Sequence, residues 1–121
     1  MRLSGFLTFA SVLALLFGLG FLFAPAAVLA QYGVEGTATI VLMTRFFAAA
    51  LLQIGVLLWI GRRIEDPPAR RMIVVSGFVG SIIGGAVALA GVLAHTVNTL
   101  GWSSVAIYVI FVLGYGYFLM A

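Results

Sequence analysis

Four long apolar runs, separated by short polar breaks, span residues 4–24, 39–60, 72–94 and 102–120. A membrane-crossing helix needs about 20 mostly apolar residues, because the hydrocarbon core is ~30 Å thick and each residue rises ~1.5 Å. All four runs meet that length. The alternating ten-residue segments of a membrane barrel do not occur. Pro25 stops the first run, and Glu65-Asp66-Pro67-Pro68 reads as a rigid, solvated turn between the second and third. The pattern predicts an all-α fold: one domain over residues 1–121, an integral membrane four-helix bundle with antiparallel, up-down connections.

Spacing within the runs predicts how the helices meet. In lipid, helices gain little by hiding apolar surface from one another, so close approach through small residues matters more. Gly77, Ser81, Gly84, Ala88 and Gly91 follow steps of four and three, which place them on one helical face with almost no side chains. The last run carries a complementary ridge, Ser104, Tyr108, Phe111, Tyr115 and Phe118. A short connection joins the two runs, so at least part of this ridge is expected to lie in the glycine groove. The alternative is a ridge facing a lipid, a pigment or a quinone. Milder versions are Ser4, Thr8, Ser11, Leu15 and Gly18 in the first run and Ala48-Ala49-Ala50 in the second.

Composition agrees with a lipid environment. Hydrophobic residues make up 64% of the 121 residues and charged ones 7%, against about 45–50% and about 25% in soluble domains. A water-soluble fold of this size would leave bare hydrocarbon on its surface. Arg2 followed by the apolar stretch 6–23 resembles a secretory signal, but the stretch exceeds the usual ~7–15-residue core, so a retained first helix is expected.

All six basic residues are arginine, and they set the expected orientation. Arg62, Arg63, Arg70 and Arg71 bracket the loop 62–71, and Arg2 stands at the N-terminus, whereas 25–38 and 95–101 carry none. The positive-inside rule then puts both termini and the central loop in the cytoplasm. Trp59 and Trp102, near span ends, suit the membrane interface. The arginines form no stripe of the kind nucleic acid requires, so their first role is topological, with an anionic-lipid or partner-docking patch as the functional alternative. Without cysteine there are no disulfides, thiolate metal sites or thiol redox chemistry.

Few polar residues remain to carry chemistry. Arg45 lies about two turns into the second run, where a charge costs up to ~2.5–3.5 kcal/mol at the bilayer centre and less near the interface. Glu35 is the only acid on that side and the natural partner; Gln53 lies two turns deeper and about 80° around the helix. The structural reading is a snorkelling or Glu35-paired arginine. The functional one is an anion, quinone or headgroup site.

His95 ends the glycine series, with Asn98 after it. It is read as a hydrated histidine capping the third helix, or as a proton-titrating group, a quinone hydrogen-bond donor, or an axial ligand to haem or chlorophyll. If both residues act, Glu35, Arg45, His95 and Asn98 share a shallow extracytoplasmic pocket. No metal is expected, and no resident cofactor. Phosphate loops, nucleophile elbows and metalloprotease motifs are missing. No acid falls inside a predicted span, so carboxylate-driven exchange of the small multidrug exporter kind lacks its central group.

Residues 18–63 resemble the DoxX-like group of small bacterial four-helix membrane proteins. The matching features are Gly-Leu-Gly-Phe-Leu-Phe-Ala-Pro at the end of the first run and Arg45-Phe-Phe-Ala-Ala-Ala-Leu-Leu-Gln-Ile-Gly-Val-Leu-Leu in the second. Some members of that group are membrane subunits of quinone-linked sulfur oxidation or redox-stress complexes, which implies a structural or quinone-facing Arg45. The leading expectation is a non-catalytic subunit or assembly component in the bacterial inner membrane, partnered by lipid and by other membrane subunits or further copies of itself. A small transporter or channel is the second reading, and a quinone-, lipid- or pigment-binding redox subunit the third.

Overall fold

The computed structural model describes residues 2–120, and among them every regular element is helical. The helices are α1 (Leu3–Phe23), α2 (Pro25–Gln31), α3 (Ala38–Gly61), α4 (Pro67–Leu93) and α5 (Gly101–Met120). Four of the five, all but α2, are long and apolar enough to cross a membrane. At ~1.5 Å per residue they measure from roughly 30 Å for α5 to about 40 Å for α4.

Two of these elements correct the sequence reading. The segment 25–38, expected to be a loop, contains α2. Its first residue, Pro25, interrupts α1 and starts the new helix, because proline has a helical φ and an N-terminal position needs no N–H. The Glu65–Pro68 turn is shorter than expected for the same reason. Asp66 is the N-cap of α4, its carboxylate accepting from the Ala69 N–H at 3.2 Å, and Pro67 and Pro68 fill the first helical positions. Helix α4 therefore begins at Pro67 and not near Met72, and Arg70 and Arg71 lie on its opening turn.

The chain divides into two compact units that adjoin in sequence at Arg63 and Ile64. Within the first, α1 and α3 run antiparallel with interlocking glycines. Leu52 of α3 lies over Gly18 of α1, where a Cβ would come within 2.8 Å of its Cγ; Leu15 of α1 lies over Gly55 of α3, at 2.7 Å. At this close approach the Ser11 hydroxyl, fully buried, donates to the Gly55 carbonyl at 2.9 Å. Ala48, also fully buried, is part of the same contact face. Phe21 and Phe47 meet edge-to-face, with centroids 5.7 Å apart. Helix α2 folds back so that Ala26 rests on Gly36, just ahead of α3.

In the second unit α4 and α5 are also antiparallel. The Tyr115 ring covers Gly77 and the Tyr108 ring covers Gly84; a methyl group on either glycine would overlap the ring. Tyr115 is 3% exposed and Ser81, on the same face of α4, 6%. The ridge fills only part of the small-residue face, however. Gly91 has open space where its side chain would be, as has Gly80. The outward faces of both hairpins are strongly apolar, with Leu16, Phe46, Leu57, Ile83, Val87 and Leu113 among the exposed side chains.

Candidate functional site

Arg45 sits on the second turn of α3, entered through the N-cap Thr37, whose hydroxyl accepts from the Ile40 N–H at 3.3 Å. Its Nε donates at 3.3 Å to the carbonyl of Leu22, so its acceptor is a helix end and not the Glu35 carboxylate. The cause lies in Pro25. A helix leaves its last carbonyls without intrahelical donors, and the break at Ala24–Pro25 strands that of Leu22 inside an apolar environment. A cation there also complements the negative end of the α1 dipole. Glu35 is exposed, and its main-chain carbonyl accepts from the Thr37 N–H at 3.0 Å on the way into α3.

Gln53 is exposed, about 140° around α3 from the buried Ala48. It therefore lies on the side of α3 turned away from α1, and its amide has no hydrogen-bond partner among the described residues.

His95 lies one residue beyond the C-cap of α4, in the left-handed conformation (φ 58°). The His95 N–H reaches the Val92 carbonyl at 3.1 Å and the Thr96 N–H that of Gly91 at 3.0 Å. This is the two-bond helix ending normally built on glycine. Helix α2 ends identically with Gly33 (φ 75°): the Gly33 and Val34 N–H groups bond the Ala30 and Leu29 carbonyls, each at 3.0 Å. So it is the His95 backbone that terminates the helix, and its imidazole is exposed. Asn98 belongs to the entry into α5, its Oδ1 accepting from the Leu100 N–H at 3.0 Å.

Of the four residues proposed to share a pocket, Glu35 and Arg45 thus belong to the first unit and His95 and Asn98 to the second. Among the described residues no three His, Asp or Glu side chains gather as they would around a metal ion. Near the far end of α3, Arg62 stacks 3.9 Å over the Trp59 ring centroid while its Nε donates to the Trp59 carbonyl at 3.1 Å. Sequence reasoning missed this pair, although Trp and Arg three apart on a helix are neighbours.

The chain matches no known family model, no curated protein and no solved structure.

Proposed function

We propose that this chain is a non-catalytic subunit or assembly component of a bacterial inner-membrane complex, crossing the bilayer four times with both termini in the cytoplasm. The observation that carries the reading is Gln53. An amide left without a partner in hydrocarbon costs several kcal/mol, and Gln53 stands about 15 residues into the 24-residue α3, deep in an apolar span. Such a residue calls for another helix, and interhelical amide bonds of this kind hold membrane subunits together. Among the other polar side chains in the spans, Ser11 bonds the α3 backbone, the Nε of Arg45 caps α1 and Ser76 bonds the Ile73 carbonyl.

Orientation follows from charge. Arg2 and the pair Arg62 and Arg63 stand at one end of the first hairpin, and Arg70 and Arg71 begin the second, while the connections 31–37 and 94–100 carry no arginine. The resemblance of residues 18–63 to the DoxX-like group supports a membrane-subunit role. Native mass spectrometry from mild detergent tests the proposal. Assemblies larger than one chain are expected for the wild type, and Gln53→Leu should shift them toward the single chain. A wild type that runs as a single chain alone, without further subunits when taken from its own membrane, would overturn it.

A further inference from the structure

Arg45 is anchored through one nitrogen only. Nε holds the Leu22 carbonyl, and the terminal nitrogens Nη1 and Nη2 have no protein partner among the described residues. Arg62 is anchored in the same way, through Nε to a carbonyl, but its guanidinium face is covered by the Trp59 ring. That of Arg45 is exposed. Pinning Nε also orients the fork, because the guanidinium is planar and rigid. The remaining edge presents two parallel N–H donors, the geometry that a phosphate accepts in bidentate fashion.

Depth and charge narrow the ligand. Arg45 is seven residues into α3, ~10 Å from its start. The 24-residue helix measures about 36 Å, so both its ends extend a few Å past a ~30 Å core and the guanidinium lies within reach of the phosphate level. Glu35, the only acid in residues 2–63, does not engage it.

We propose that the outer edge of Arg45 binds a phosphate group, with an anionic phospholipid headgroup or a free phosphate ion as its source. The proposal uses the membrane placement of α3 and is independent of oligomeric state.

The experiment uses the full chain in nanodiscs of phosphatidylglycerol or of a phosphate-free galactolipid, treated with the arginine reagent phenylglyoxal and read by peptide mass mapping. Arg45 is expected to be protected about tenfold in phosphatidylglycerol relative to the galactolipid, as one charged bidentate pair would give, with a soluble arginine peptide as reference. Protection in the galactolipid on adding millimolar inorganic phosphate would assign the source to the soluble ion. Equal modification of Arg45 in all three conditions overturns the proposal. In detergent, Arg45→Gln should retain about tenfold less phosphatidylglycerol by native mass spectrometry than the wild type. An Arg45→Gln protein with unchanged helical circular dichroism and undiminished lipid also overturns it. The phenylglyoxal result stands on the wild type alone and decides the matter if that variant does not fold.

Discussion

At the scale of single residues, the polar side chains of this protein act mostly on backbone. Ser11, Arg45, Arg62 and Ser76 each donate to a main-chain carbonyl, and Asp66 and Thr37 each accept from a main-chain N–H. In a medium without water such groups have few other partners. His95 is the exception, because its position has a backbone requirement that its side chain resists. A non-glycine residue in the left-handed region costs roughly 1–2 kcal/mol, and Gly33 meets the same requirement without that cost. Thermal unfolding in detergent should therefore show His95→Gly more stable than wild type by up to about 1 kcal/mol, and Gly33→Ala less stable by a similar amount. A His95→Gly protein that unfolds earlier would mean that the imidazole makes a stabilising contact outweighing the strain.

Elements are held together here by the absence of side chains at chosen points. The two hairpins use different versions of the device. In the first, each helix offers one glycine to a leucine of the other, Gly18 to Leu52 and Gly55 to Leu15. In the second, tyrosine rings of α5 cover Gly77 and Gly84 of α4, and the Phe78 ring of α4 approaches Gly116 of α5. Glycines in this chain consequently fall into two groups with opposite responses to substitution. Gly84→Leu should prevent α4 and α5 from closing, seen as loss of the folded species in detergent size-exclusion or thermal-shift measurements. Gly80→Ala and Gly91→Ala, which meet open space, should be neutral or gain up to about 1 kcal/mol from helix propensity. Equal damage from Gly91→Ala would place another helix against that face.

At the scale of the whole molecule, the governing quantity is exposed hydrocarbon. Large apolar side chains such as Leu16, Phe46, Val87 and Leu113 remain uncovered, far beyond the patch that a water-soluble surface tolerates. The chain should require detergent or lipid throughout purification. On the topology proposed from the arginine pattern, reporter fusions at the two termini should label the same, cytoplasmic side. Opposite sides for the two reporters would mean an odd number of crossings and overturn that topology.

The sequence by itself determined the spans and the arginine pattern that points to their threading, since both depend on the length of an apolar run and the placement of charge, which are additive along the chain. It also pointed to the aromatic ridge and the small-residue face, because the four-three spacing is a property of a single helix. Tertiary structure decided where the two meet, with Tyr115 on Gly77, Tyr108 on Gly84 and nothing at Gly91. It likewise decided the acceptor of Arg45, for which the sequence offered Glu35, the only acid on that side, as the natural partner. That choice depends on a carbonyl left without a donor 23 residues away by a proline break, and no local pattern records which orphaned group a folded chain will bring beside a free donor.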